Sequence, residues 1–160
     1  MITRTFFTSL LIMIAGFAWA QKAEINRADF YAAMASDKLE IVNGQQELLR
    51  SSDVDNKEAF EGALLMKKAG LVGKASEKLS LFKSGHKLLD NAIKNDATNA
   101  ELRFLRLMIQ EHAPKIVKYK GNIDGDSTVI RQGFHQLHPS IQKAIIDYSK
   151  NSKILKPTDF

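Results

Sequence analysis

The sequence predicts an all-α fold of about six or seven antiparallel helices. Three observations carry that expectation. Apolar residues recur at helical spacing along nearly the whole chain. No stretch alternates apolar and polar residues for long enough to make a strand. Only three prolines interrupt 160 residues.

The first element lies outside that fold. "MITRTFFTSLLIMIAGFAWA", residues 1–20, opens with basic Arg4, continues as an apolar run from Phe6 to Ala18, and ends in Ala18-Trp19-Ala20. Small residues at the last and third-last positions are what a signal peptidase reads, so a secretory signal peptide cleaved after Ala20 is expected. The apolar run falls short of the roughly 20 residues that span a bilayer, which argues against a retained anchor. Residues 21–160 are then expected to form one helical domain, large enough to bury a core without staples. The chain has no cysteine, so neither a disulfide nor a lipid-bearing thiol is available. Loss of Arg4 would lower the formal charge from +5 to +4.

The helices follow in order. "RADFYAAMA", 27–35, is the first. Ser36 offers an N-cap for a second, about 37–50, carrying Leu39, Val42, Leu48 and Leu49, with Gly44 weakening its interior. Asp55 opens the third, where Asp55 and Glu58 have capping-box spacing. Phe60, Ala63, Leu64 and Met66 form its apolar side, and Gly70 and Gly73 bracket its end. Ser76 starts a long fourth helix to about Lys94, with a broad stripe through Leu81, Phe82, Gly85, Leu88, Leu89, Ala92 and Ile93. "NDATN", 95–99, is a turn, and Thr98 and Glu101 repeat the capping-box spacing. The fifth helix, "AELRFLRLMIQEHA", runs to Pro114 and is apolar almost all round. Its polar residues Arg103, Arg106 and Gln110 share one narrow stripe, which predicts a helix buried in the middle of the domain. A sixth covers about 127–137. His138 and Pro139 read as the cap and first position of a seventh, carrying Ile141, Ala144, Ile145 and Tyr148. Residues 153–160 read as a loose basic tail.

"EAFEGALLMKKAG" and "GHKLLDNAIKNDATN" together resemble a tetratricopeptide-type helical hairpin over 57–99. Gly62, Ala63 and Gly85 occupy positions where that repeat wants small residues. Ala97 replaces its usual proline, and 70–76 makes a longer connection than the repeat has. The segments "EAFEGALLMKKAG", "EKLSLFKSGHKLLDNAI" and "ELRFLRLMIQEHAPKI" also resemble a group of uncharacterised exported proteins of Bacteroidota-type bacteria. That resemblance implies export and a helical fold, and no activity. A single hairpin cannot bury its apolar face alone, so stacking of the flanking helices into a capped mini-solenoid is expected.

Candidate chemistry is sparse. In "GNIDGDSTVI", residues 121–130, Asn122, Asp124, Asp126 and Thr128 alternate like the first half of a calcium loop. Such a loop needs glycine at its sixth position and a bidentate acid at its twelfth. Here those are Ser127 and Gly133, so Asp124 or Asp126 is expected to cap the sixth helix instead. His135 and His138 lack further zinc ligands nearby, and His86 and His112 are isolated. No nucleophile–base set, phosphate loop or cofactor motif is visible, so no enzyme, metal or cofactor is expected.

Arg103 and Arg106 allow two readings. Either they pair with Glu58, Glu61 or Asp90, or, with Gln110, they line a groove that grips a carboxylate. Lys115, Lys118 and Lys120 form a basic cluster, as do Lys150, Lys153 and Lys156 in the tail. Both serve solubility or meet anionic polymers or lipid headgroups. The expectation is an exported, periplasmic or secreted, non-enzymatic module that binds or scaffolds another envelope protein. Nucleic acid is not an expected partner. The alternative is a small-ligand or envelope-polymer binding protein that uses the basic clusters and an interhelical groove.

Overall fold

The computed structural model describes residues 25–160. The expected signal peptide and its cleavage site lie outside the described residues. The fold is all-helical: α1 Arg27–Ala35, α2 Leu39–Ser51, α3 Lys57–Leu71, α4 Ala75–Asn95, α5 Ala100–His112, α6 Ile123–Gly133 and α7 Pro139–Ser149. Three 3₁₀ turns, Lys115–Val117, Phe134–Gln136 and Pro157–Asp159, complete it, with no strand among the described residues. No helix among them is long and apolar enough to cross a membrane.

α5 is the central helix, as its thin polar stripe predicts. Leu102, Phe104, Leu105 and Leu107 are all fully buried, and α3, α4 and α6 pack around it. The α3–α4 hairpin is the closest helix pair. A Cβ on Gly62 would stand 2.6 Å from the Gly85 carbonyl oxygen, and one on Gly85 would stand 2.4 Å from that of Gly62. Backbone lies against backbone there, so the small residues are required by the approach and not by a turn. Contacts also run beyond sequence neighbours, because α1 packs on α7 and α3 as well as on α2. A solenoid repeat touches only its neighbours. This array closes on itself, first helix to last.

Helix starts differ from the expected caps by a residue or two, and α6 by four. Asn26 caps α1, accepting from the Ala28 and Asp29 amides. Ser36 instead accepts from the Lys38 amide ahead of α2. On α2, Val42 and Leu49 are buried but Leu48 is 62% exposed. α3 has no side-chain cap: Asn56 precedes it in a left-handed conformation, φ 57°, and Lys57 reaches back to the carbonyls of Arg50 and Ser52. α4 starts at Ala75 after Lys74, again without a side-chain cap. Asn99, and not Thr98, caps α5, accepting from Glu101 and Leu102 at 3.1 and 3.2 Å. The Glu101 carboxylate has a stronger claim elsewhere: it lies buried against Arg27 and the Tyr31 hydroxyl, 3.2 and 3.1 Å away. Burial, then the Glu101 charge, pushes the Tyr31 hydroxyl well above its ordinary range. α7 starts as expected, with His138 Nδ1 accepting from Ser140 and Pro139 in the first turn.

The C-terminal segment is not loose. Leu155 is fully buried, and Phe160 lies on Phe134 with ring centroids 4.5 Å apart. Arg131 holds the Asp159 carboxylate at 3.0 Å and the Ile154 carbonyl at 3.1 Å. Glu111 accepts from the Ser152 hydroxyl at 2.7 Å, the Tyr148 hydroxyl at 2.8 Å and the Lys153 amide. Ser152 in turn accepts from the Ile154 and Leu155 amides. The segment is a strap tied to α5 and α6, with its lysines facing water.

Candidate functional site

The arginine stripe of α5 meets α6, which starts at Ile123, four residues earlier than expected. That start carries Asp126 past the cap and into the buried face, one turn before Ile130 and two before Phe134. Asp126 is fully buried. Its carboxylate takes Arg106 Nε at 2.7 Å, Arg106 Nη2 at 2.6 Å and Arg103 Nη1 at 2.9 Å. Asp90 stands 3.6 Å from the remaining terminal nitrogen of Arg106. In the amide orientation that satisfies both its ends, Asn122 also accepts from Arg106 at 3.1 and 3.2 Å. Burial works against the Arg106 charge, but the bonds and charge of Asp126, with Asp90 behind, hold its guanidinium above the ordinary range. Arg103 donates in addition to the Ala97 carbonyl at 2.9 and 2.6 Å.

The expected binding edge of Arg103, Arg106 and Gln110 is therefore closed. The carboxylate the arginines grip is the chain's own Asp126, and Gln110 is 1% exposed with its Oε1 lacking a hydrogen-bond partner. Of the expected acids only Asp90 takes part. The calcium-loop alternation also dissolves on the helix. Asp126 turns inward to the arginines, Asp124 faces water, and Asn122 lies at Arg106. Among the described residues no group of three His, Asp or Glu side chains is placed to hold a metal ion.

His86 is not isolated. Its Nε2 meets Asp90 at 2.9 Å, and the other Asp90 oxygen accepts from the Tyr119 hydroxyl at 3.0 Å. Burial and the Asp90 charge push that hydroxyl above its ordinary range. Tyr119 thereby pins the loop that bears the basic cluster. Lys115, Lys118 and Lys120 all lie exposed on it, with the Lys120 ammonium on the Glu111 carbonyl at 3.2 Å.

A groove of about 900 Å³ opens where α1, α3, α5 and α7 converge. Its floor is long, flexible and apolar: Met34, Met66 and Met108 beside Tyr31. Its walls mix short side chains with the longer Leu71, Phe82, Lys143 and Tyr148. Ala28, Ala32 and Ala35 face it from α1, and Ser140 and Ala144 from α7, each set at one-turn spacing. Where α1 and α7 meet, these small side chains leave space that larger ones would fill. The rim is charged, with Lys67 3.4 Å from Asp37, and Asp147 held by Lys143 at 2.5 Å and Lys150 at 2.6 Å. The bonds from Lys143 and Lys150 hold the exposed Asp147 carboxyl down at about 2.

Sequence reasoning did not find this groove. A methionine or aromatic at helical spacing reads as core, and which face stays uncovered depends on how α1 returns to α7. The alanine spacing 28, 32, 35 was the available signal. No protein-family model matches the chain, and no curated protein and no solved structure is significantly similar to it.

Proposed function

We propose that the chain is an exported, non-enzymatic binding module that receives an apolar helical segment of another envelope protein in the α1–α7 groove. The observation that carries this reading is the pairing of a methionine floor with alanine-faced walls. Methionine adapts its shape to irregular apolar partners. Small wall residues let an incoming helix approach closely, and helix-in-groove recognition uses such anchors. The charged rim, made of pairs of both signs, orients a partner more than it holds one. Export rests on the leader-like residues 1–20.

A second reading takes the groove as a site for a small apolar ligand. Its volume of about 900 Å³ lies within the range of roughly 300–1,000 Å³ usual for such sites.

Capture from envelope extract at low and high salt, with Ala144→Arg as the control, tests both. Arginine there fills the groove from a half-buried wall position. One protein retained at both salt concentrations by the wild type and lost by Ala144→Arg supports the first reading. Native mass spectrometry showing a bound small molecule that Ala144→Arg lacks supports the second. Capture that Ala144→Arg leaves unchanged overturns the groove as the site.

A further inference from the structure

We propose that the end of the molecule formed by the 114–120 loop and the first turns of α4 docks on an anionic phospholipid surface. This end adjoins the groove, whose lining reaches Phe82 and Pro114, but the exposed side chains it uses lie outside that lining, and the proposal stands without the groove.

Two elements meet at this end. Tyr119 packs edge-on against Phe82 and His86 of α4, with ring centroids 5.4 and 4.6 Å apart. Together with its bond to Asp90, that contact fixes the loop against the helix. Lys78 and Leu79 precede Phe82 by four and three residues, so they share the face of α4 that meets the loop. Beyond Tyr119 the loop turns outward. Ile116 is 86% exposed, and Leu79 on α4 is 50% exposed. Every residue from Gly73 to Ser80 is exposed, so the start of α4 projects without a covering partner.

The charge around these apolar side chains is one-sided. Lys74, Lys78 and Lys83 on the α4 side and Lys115, Lys118 and Lys120 on the loop are all exposed. Glu77 is the exposed acid of that stretch. Asp90 is engaged by His86, Tyr119 and Arg106, and Glu111 by the C-terminal strap. Six ammonium groups thus face outward with little to neutralise them.

The pairing of charge with apolar groups selects the partner. A soluble polyanion would use the lysines and leave Ile116 and Leu79 in water. A bilayer with anionic headgroups takes both, since its phosphates meet the lysines while its acyl boundary takes the apolar side chains.

The absence of cysteine makes the test clean, because one introduced thiol carries the only label. An environment-sensitive bimane is placed on Ile116→Cys, and separately on Glu47→Cys, a well-exposed position on α2. Both full-length proteins are mixed with phosphatidylcholine vesicles, with and without phosphatidylglycerol. The expected result is a blue shift at 116 only with phosphatidylglycerol present, and none at 47. Adding Lys115→Gln and Lys118→Gln to the labelled protein should weaken vesicle affinity about 25-fold, at about five-fold per lysine near the surface. High salt should weaken it likewise. No shift at 116, an equal shift on phosphatidylcholine alone, or an equal shift at 47 would each overturn the proposal. So would dextran sulfate binding that matches vesicle binding in strength and is indifferent to Ile116→Ser, which would assign the end to a soluble polyanion.

Discussion

Asp126→Ala tests the closed arginine stripe most directly. The substitution leaves two guanidiniums facing a fully buried, uncharged site. Their situations differ. Arg103 is 17% exposed at its side chain and keeps the Ala97 carbonyl, so it can take up water. Arg106 is 5% exposed and keeps only Asp90 at 3.6 Å and the Asn122 amide. Breaking a buried pair by removing one partner costs about 3–5 kcal/mol. The partial rescue of Arg103 and Arg106 places the expected loss near the lower end, about 3 kcal/mol. For a domain of this size that lowers Tm by about 10 °C, at roughly 3 °C per kcal/mol. Urea unfolding of Asp126→Ala, of Arg106→Met and of the double variant Asp126→Ala/Arg106→Met measures it. Each single change should destabilise strongly. The double should lose at least 2 kcal/mol less than the sum of the two, a coupling of about the size contacting residues show. Losses that simply add, or an Asp126→Ala loss below about 1 kcal/mol, would refute a buried, mutually dependent pair. A change in partner capture by Arg106→Met at unchanged stability would return the stripe to a binding role.

The other predictions concern the hairpin and the strap. Gly85→Ala should destabilise by about 1–3 kcal/mol through overpacking despite alanine's better helix propensity, because its Cβ would meet the Gly62 carbonyl and Met66. Gly44→Ala, with nothing within 4 Å, should stabilise by about 0.5–1 kcal/mol, and equal effects at the two sites in thermal unfolding would contradict the close approach. Leu155→Ala should cost about 2–5 kcal/mol, as at a core site, whereas a loose tail would register less than about 0.5 kcal/mol in the same melt. The strap should also loosen in acid. Burial alone would raise the Glu111 carboxyl, but the Lys153 amide and the Ser152 and Tyr148 hydroxyls outweigh it and hold it below its ordinary 4.5. A depressed carboxyl contributes its full stabilisation above the ordinary value and loses it as pH falls through the lowered one. Protection of the Lys153 and Leu155 amides, read as exchange relative to an unstructured peptide at the same pH, should therefore fall from about pH 5 downward. Glu111→Gln should show fast exchange at neutral pH and no acid step, and a wild-type step near neutrality would exclude Glu111 as its source.

Much of the architecture was readable because helices are local objects. The apolar spacing of Leu102, Phe104, Leu105 and Leu107 placed α5 at the centre without knowledge of its neighbours. Gly62 and Gly85 marked a close helix pair, since only a missing side chain allows one backbone to touch another. His138-Pro139 fixed the start of α7 because cap and proline act within one turn. The cap of α5 was misplaced where a longer reach intervened. Glu101 serves Arg27, 74 residues away, in place of its own helix end.

The same distinction divides the whole protein. Helical content and the buried α5 were determined by the sequence alone, because each depends on bonds and faces a few residues apart, whereas the α3–α4 contact was marked in the sequence only by the missing side chains of Gly62 and Gly85. The partner of the arginine stripe, the docking of the last residues, and the groove between α1 and α7 were decided only by tertiary structure. Asp126 lies 20 residues from Arg106, and Glu111 lies 41 from Ser152. Which of several spaced acids meets a given base depends on helix rotation and packing, which periodicity does not record. "GNIDGDSTVI" shows the consequence most clearly: its alternating acids suggest an ion or a cap, and the fold uses Asp126 to neutralise two buried arginines.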